Sequence, residues 1–131
     1  MLGHVLVATV VAMITLLAAC GGDGADGVEL SERAATGRSV ALTSGCASCH
    51  GEDGDGDVGP PLAGLYGTNV KLRDGTTVQA DDAYLSRSIT DPGAQIVAGF
   101  EVNMPTNGLS DDEVEQILTW IRELGPEDAE S

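Results

Sequence analysis

The chain has 131 residues, enough for one domain but too few for several. It contains 21 Asp and Glu residues against 6 Lys and Arg residues, and the resulting formal charge of −15 argues against binding to nucleic acid or, by charge, to anionic lipid. So acidic a surface favours a protein partner with a basic docking patch, or else only keeps the chain soluble, and the charge alone leaves both explanations open.

The first twenty residues resemble the export signal of a bacterial lipoprotein. Residues 5–19 are almost entirely apolar, and such a run is shorter than the roughly 20 residues of a membrane span but suits a signal peptide. The sequence Leu17-Ala18-Ala19-Cys20 is similar to the lipobox, in which the cysteine receives a lipid and cleavage occurs just before it. We therefore expect residues 1–19 to be a signal peptide and Cys20 to be lipidated. An uncleaved helix that anchors the chain is the alternative.

Residues 20–30 are rich in glycine and acidic residues without periodicity, as is typical of a flexible tether. Two or three acyl chains on Cys20 would hold the protein stably on a membrane. The domain would then lie on the extracytoplasmic face, within about 15 to 20 Å of the surface. Residues 31–125 are expected to form that domain, and residues 126–131 an acidic tail.

Two segments show weaker helical patterns. The first covers residues 31–43, with Ser31 as the candidate N-cap. Its Gly37 would cost about 1 kcal/mol relative to alanine, which suggests that another helix passes close to that position; the alternative is a weak helix that tolerates the glycine. The second begins at Asp81 or Asp82, continues through Ser88 and ends at residues 91–93. Both are expected to pack on the same core.

The clearest helix lies near the end of the chain. Ser110 and Glu113 form a capping-box pattern, and Gly125-Pro126 would end the helix. Its apolar residues form one stripe: Val114, Ile117, Leu118, Ile121 and Leu124.

The pattern of residues 70–78 predicts a short β-hairpin that turns at Asp74-Gly75 and rests on the helical domain.

The motif Cys46-Ala47-Ser48-Cys49-His50 places two thiols and one imidazole within about one helical turn. This is the pattern of a covalent c-type haem site, in which Cys46 and Cys49 would form thioethers and His50 would bind the iron. A thioredoxin-like redox pair would need a strand–helix setting. A four-ligand zinc site cannot be completed, because the only other histidine and cysteine, His4 and Cys20, lie in or beside a segment that is expected to be removed or lipidated. We therefore predict one covalent haem c.

Residues 51–58 form an acidic, glycine-rich stretch that superficially suggests a calcium loop. The EF-hand template requires glycine at the position of Val58 and glutamate at that of Gly64, so the match fails and a turn-rich surface loop is predicted. The next segment, residues 59–64, is stiffened by Pro60 and Pro61. A carbonyl there could accept the Nδ1 proton of His50 and fix its tautomer.

Met104 is the only methionine after the predicted signal peptide. A lone methionine more often fills a gap in a core. A low-spin haem needs a sixth ligand, however, and the mature chain offers no other thioether and no second histidine, so Met104 is predicted to bind the iron.

The mature chain is also poor in large aromatic residues, with only Tyr66, Tyr84, Phe100 and Trp120. Because a haem would supply the missing apolar core, we expect the apoprotein to be poorly folded.

Taken in order, these features resemble the class I cytochromes c over residues 31–125. The matching positions are Gly37, the motif at residues 46–51, the segment 59–64, Met104-Pro105 and a last helix that bears Trp120. The resemblance implies a mostly α-helical fold with one added hairpin. It also implies that the first and last helices cross at Gly37 with Trp120 packed there, that the Pro60 carbonyl accepts the histidine proton, and that Pro60 and Leu62 line the haem pocket. The family often has an aromatic residue where this chain has Ala41, so the crossing is expected to pack differently.

The middle of the chain is similar to the cytochrome c domain fused to subunit II of some haem-copper oxidases. The similarity lies in Tyr66-Gly67-Thr68, the Asp74-Gly75 hairpin, Tyr84-Leu85, Asp91-Pro92 and residues 96–100. It implies a membrane-anchored carrier of single electrons in a respiratory chain, to or within a terminal oxidase, rather than an enzyme. One alternative is a peroxidase or a gas or redox sensor in which Met104 leaves the iron. Another is a structural lipoprotein in which the haem motif is chance.

Overall fold

The structure, a computed structural model, describes residues 29–125. The predicted signal peptide, Cys20, most of the tether and the acidic tail, with Pro126, lie outside these residues. The described elements are α1 (Glu32–Thr43), α2 (Ala47–His50), β1 (Asn69–Lys71), β2 (Thr77–Gln79), α3 (Asp82–Thr90) and α4 (Asp111–Glu123). The predicted fold, mostly helical with one hairpin, is confirmed. Within residues 29–125, no helix has both the length and the apolar character needed to cross a bilayer.

Helices α1 and α4 touch backbone to backbone at Gly37. A Cβ atom at this position would overlap the carbonyl oxygen of Gln116, so no side chain larger than that of glycine fits without moving a helix. The close helix contact predicted at Gly37 is therefore confirmed. The contact point on α4 is Gln116, one turn before Trp120, whose side chain is almost completely buried. Ala41 is also buried.

The ends of α1 and α4 are fixed by side chains. The Ser31 hydroxyl accepts a hydrogen bond from the Ala34 amide, as predicted for an N-cap. Glu123, the last residue of α4, accepts from both the backbone amide and the hydroxyl of Ser31, at 2.8 and 2.7 Å. At the start of α4, Ser110 and Glu113 form both halves of the predicted capping box. The two helices therefore support each other's ends as well as their faces.

Helix α3 begins at the predicted cap and runs slightly further than predicted. The Asp81 side chain accepts a hydrogen bond from the Tyr84 amide at 2.8 Å. The helix continues to Thr90, two residues beyond Ser88, and ends at Asp91, where Pro92 follows. The extra residues belong to the last turn, for which sequence gives no sharp signal before the proline.

The hairpin pairs β1 with β2 in antiparallel register, with Val70 opposite Val78. The predicted turn at Asp74-Gly75 is confirmed: Gly75 has a positive φ of 89°, and the Asp74 carboxylate accepts a hydrogen bond from the Thr76 amide at 2.9 Å. Beyond β1, Leu72 forms an isolated antiparallel bridge with Val97. The hairpin thus leans on the segment that follows α3, as a two-stranded unit must do to be stable.

The core lies where α1, α3, α4 and the hairpin meet. Its buried residues are Ala34, Ala41, Val70, Leu72, Ala80, Tyr84, Leu85, Ile89, Val114, Ile117, Leu118, Trp120 and Ile121. Four of the five residues predicted for the apolar stripe of α4 are among them, and Leu124 is partly buried at the helix end. Only two core residues are aromatic, and Ile117 and Ile121 also face a large cleft.

Candidate haem-binding site

The cleft opens between α2, α3, α4 and residues 92–104. It holds about 860 Å³ of empty space, part of which is open to solvent. Its walls are mostly apolar, and they include Leu65, Leu85, Ile89, Ile96, Val97, Phe100, Ile117 and Ile121. A smaller adjoining opening shares Cys46, His50, Val102 and Met104 with it, and is also lined by Ser44, Gly45, Pro105 and Asn107 among others.

The single turn of α2 places the motif side chains along this cleft. The amides of Cys49 and His50 both donate to the Cys46 carbonyl, at 3.1 and 3.0 Å, which closes the turn. Cys46 and His50 line both openings, and Cys49 lines the smaller one. The two cysteines are free thiols rather than a disulfide. Burial raises the pKa of the Cys46 thiol, so this thiol is held in its neutral form.

The imidazole of His50 is oriented by the segment that follows the acidic loop. Its Nδ1 atom lies 2.8 Å from the carbonyl oxygen of Pro60. Because a carbonyl can only accept, this contact assigns the proton to Nδ1 and leaves Nε2 with a free lone pair. Gly59 allows the approach, since a Cβ atom there would lie 3.0 Å from the Cys49 oxygen and 3.1 Å from the His50 ring. The imidazole is therefore prepared to bind a metal through Nε2.

The backbone of the loop at residues 51–58 lies against the haem motif, and the acidic side chains of the loop are exposed to solvent. The Gly56 amide donates to the His50 carbonyl at 2.8 Å, and the Gly59 amide donates to the Cys49 carbonyl at 2.9 Å. Asp53 forms an ion pair with Arg38 of α1 at 2.7 Å. The predicted turn-rich surface loop is confirmed.

Met104 lines the cleft and belongs to a segment without helix or strand. It is partly buried, whereas its neighbours in residues 101–108 are exposed. Met104 and His50 line both openings, so the structure brings the two predicted iron ligands to one site. Pro60 and Leu62 also line the larger opening. Of the predicted haem-site and lipid-site residues, only Cys20 lies outside the described part of the chain.

Two polar residues in the cleft were not anticipated from the sequence. Ser88 Oγ and Gln95 Oε1 are buried and make no hydrogen bond within the described residues, and both residues line the cleft. A site with apolar walls, an imidazole, a thioether and a few unsatisfied polar atoms fits a haem, which has an apolar ring and polar edge groups. Ser88 could have been found from its spacing, because it follows Leu85 by three residues and so shares its face of α3.

The same burial that shapes the cleft affects one further group on α3. Tyr84 is buried in the core and lines the cleft, and its burial raises the pKa of the phenol, which therefore stays protonated at neutral pH.

Arg122 connects α4 to α3 away from the cleft. Its guanidinium binds Asp82 at 2.8 Å and Glu115 at 3.0 Å and lies 6.0 Å from the centre of the Tyr66 ring. The hydrogen bond from Arg122 holds the pKa of the Asp82 carboxyl below its usual value. The same two carboxylates raise the pKa of the guanidinium, with the bond to Asp82 as the larger cause. This network keeps α3, one wall of the cleft, fixed on α4.

The family of the chain is shown by comparison with known proteins. The sequence profile of the family described as Cytochrome c matches residues 34–125, well over half of the chain. A search of curated protein sequences gives no significant match. Among solved structures, cytochrome cH from Methylobacterium extorquens is similar, with 26% sequence identity and a TM-score of 0.47 over 68% of this chain and 96% of that chain. The family match implies a covalently bound haem c as the cofactor. The chain therefore belongs to the cytochrome c family, as a mono-haem electron carrier with the class I fold.

Proposed function

We propose that this cytochrome is a membrane-anchored carrier of single electrons in a respiratory chain, with His50 and Met104 as the axial ligands of its haem. Cys46 and Cys49 would hold the ring as thioethers, and Pro60 and Leu62 would line its pocket. The observation that carries the proposal is that His50 and Met104 line one apolar cleft while the Pro60 carbonyl keeps the His50 proton on Nδ1. A nitrogen and a thioether sulfur are thus offered to one iron.

The protein's part in electron transfer is to hold and enclose its cofactor. A bound haem supplies reversible one-electron chemistry at its iron. The thioethers from Cys46 and Cys49 would fix the ring beside the His50 nitrogen. Met104 would supply a soft ligand that raises the reduction potential. Apolar walls such as Ile117 and Phe100 exclude water, which also favours the less charged reduced form.

One observation favours the alternative of a peroxidase or sensor. Met104 belongs to a segment that is exposed on both sides of it and has no regular structure. Movement of this segment would open a coordination site for peroxide or a gas. The two functions differ in whether Met104 stays on the iron under working conditions.

The first prediction separates these functions. In the wild-type ferric protein, we expect the sulfur-to-iron charge-transfer band of a methionine ligand, and the reduced protein should bind carbon monoxide poorly. Replacing Met104 with alanine should abolish the band, permit carbon monoxide binding and leave the haem covalently attached. Absorption spectra of the ferric protein, and of the reduced protein with and without carbon monoxide, measure the first two properties, and extraction with acid acetone measures the third.

Thr106→Ala is a suitable control, because Thr106 is exposed two residues after Met104 and makes no side-chain hydrogen bond within the described residues. It should leave both spectra unchanged. If the wild-type protein lacks the band and binds carbon monoxide readily, the proposal of an electron carrier fails.

The second part of the proposal is a lipid anchor at Cys20, on the extracytoplasmic face of a membrane. It rests on the lipobox-like sequence at residues 17–20. The tether would join the domain at Ser31, at the start of α1, whereas residues 44–46 at the other end of α1 line the cleft. Twelve residues of helix separate the two ends, which is about 18 Å. The tether would therefore leave the cleft entrance free for a partner.

The second prediction tests the anchor. Replacing Cys20 with alanine should release haem protein into the soluble fraction or stall its processing, because the acylated residue is lost. Fractionation of cells followed by haem staining measures the distribution. Unchanged retention in the membrane would mean that residues 5–19 anchor the chain as an uncleaved helix, and the lipid proposal would be wrong.

The third part of the proposal is the partner: a haem-copper oxidase, or its electron donor, with a basic docking patch. It rests on the similarity to the domain fused to oxidase subunit II and on the formal charge of −15. In the described residues, each arginine binds an acidic side chain or, for Arg73, a carbonyl oxygen. The excess carboxylates, including Glu52, Asp55 and Asp57 beside the haem motif, remain exposed to attract a basic surface.

The third prediction is a salt-dependent oxidation rate. The reduced soluble domain, mixed with membranes of the same organism, should be oxidised in a reaction that an inhibitor of the terminal oxidase blocks. The rate should fall between about 0.01 M and 0.1 M salt, because the Debye length shrinks from about 30 Å to about 10 Å over that range. Stopped-flow absorption of the haem measures it. A rate that responds to neither salt nor inhibitor would refute both the oxidase and the charge steering.

A further inference from the structure

The segment that carries Met104 has few attachments of its own. Residues 100–109, here called the Met104 segment, contain no helix or strand, and no backbone–backbone hydrogen bond involves them in the part of the chain that the structure describes. Most of their side chains are exposed. The hydrogen bonds that join this segment to the rest of the domain therefore involve side chains, and they lie at its two ends.

The hairpin holds the first end. The Arg73 amide donates to the Ile96 carbonyl at 2.7 Å, next to the bridge between Leu72 and Val97. The Arg73 guanidinium then reaches past this bridge and donates to the Phe100 carbonyl at 2.6 Å. The hairpin thus fixes the point where the Met104 segment begins.

Helix α3 holds the other end through Asn107. The Asn107 amide nitrogen donates to the carbonyl oxygen of Ile89 at 2.7 Å. Ile89 is in the last turn of α3, where helix carbonyls lack partners within the helix. Asn107 Oδ1 also accepts from the Leu109 amide at 3.3 Å, which shapes the chain just before α4. Since Ile89 also lines the cleft, this bond fixes the segment directly to a wall of the haem site.

We propose that Arg73 and Asn107 are positioning residues that clamp the two ends of the Met104 segment and thereby set how readily Met104 leaves the iron. The proposal builds on Met104 as an axial ligand. When Met104 leaves the iron, part of the Met104 segment must move with it. Hydrogen bonds that hold the two ends of the segment therefore favour the state in which Met104 is bound to the iron. Removing one bond should raise the fraction of protein with Met104 displaced, and an external ligand then binds more tightly in proportion. In this proposal the hairpin, through Arg73, helps to hold the sixth ligand, Met104, in position.

The test is titration of the purified ferric holoprotein with imidazole, which competes with Met104 for the iron. Asn107→Asp keeps the size of the side chain and its acceptor oxygen but loses the donor to Ile89. We expect its apparent imidazole affinity to rise about tenfold, the change that corresponds to one lost hydrogen bond. Arg73→Met should act in the same direction, and Arg73→Lys, which keeps a donor, should recover most of the wild-type behaviour.

Two variants serve as matched controls. Asn69→Asp makes the same chemical change on β1, at an exposed side chain without a hydrogen bond in the described residues, and Arg87→Met removes the same charge from an exposed ion pair on α3. Neither should change the imidazole affinity. If Asn107→Asp and Arg73→Met lower the thermal stability but bind imidazole as the wild type does, the two residues are only structural and the clamp is refuted. If the wild type lacks the charge-transfer band, the ligand assignment fails and the clamp fails with it.

Discussion

Replacing Gly37 with valine should prevent α1 and α4 from packing against each other and cost the holoprotein more than about 3 kcal/mol of unfolding free energy. The added side chain would overlap the Gln116 carbonyl oxygen. Overpacking usually costs about 1–3 kcal/mol when side chains can shift. Here the obstacle is backbone inside a helix, so the helices themselves must separate and open the core around Trp120. A domain with about 5–15 kcal/mol of net stability has little reserve for such a loss.

Chemical denaturation followed by far-ultraviolet circular dichroism measures this effect. Ser39→Val is the matched control, because Ser39 is exposed on α1 and valine there changes only the helix propensity. Gly37→Ala should fall between the two, since alanine gains about 1 kcal/mol of helix propensity but still overlaps Gln116. Equal stabilities for Gly37→Val and Ser39→Val would show that the helices can move apart without penalty, contrary to the expectation.

The contrast between Gly37 and Asn107 shows what the sequence alone can predict. Gly37 breaks a helical pattern, and the local cost of glycine in a helix demands a local explanation, so the close contact could be predicted before its partner was known. Asn107 breaks no pattern, because asparagine is common in loops. Its bond to the Ile89 carbonyl joins residues 18 positions apart and becomes visible only when α3 and the Met104 segment are placed together.

The candidate site divides in the same way. The motif at residues 46–50 and the proline segment after it are close in sequence, so their chemistry could be inferred from spacing. The resemblance to the class I cytochromes c then identified Pro60 as the partner of His50, and the structure has this contact. Met104 was found by counting the ligands available, which identifies a residue but not its position. The cleft that unites them depends on the packing of α3 on α4, through such contacts as Arg122 with Asp82, and sequence patterns do not report pairs 40 residues apart.

Replacing both Cys46 and Cys49 with serine should yield a protein without covalent haem that unfolds without a cooperative transition. The two thioethers would be lost, and a large apolar cleft would face water. At about 25 cal/mol per Å², each 100 Å² of cleft wall that a haem covers contributes about 2.5 kcal/mol, a large share of the stability of a small domain. The described core has only Tyr84 and Trp120 as aromatic members, so it has little else to compensate. Thermal unfolding and near-ultraviolet circular dichroism measure the loss.

Extraction with acid acetone completes this test, because it removes haem that is not covalently bound. Colour should stay with the wild-type polypeptide and with the control Ser48→Ala, in which the exposed residue between the two cysteines is changed. Each single cysteine variant should keep its colour through the remaining thioether, with lower stability, since one bond still fixes the ring beside His50. If colour leaves the wild-type chain, Cys46 and Cys49 do not anchor the haem, and the cleft would have to hold it through the axial ligands and apolar contacts alone. The position of two thiols on the same helical turn as His50, at the edge of the cleft, would then have no explanation.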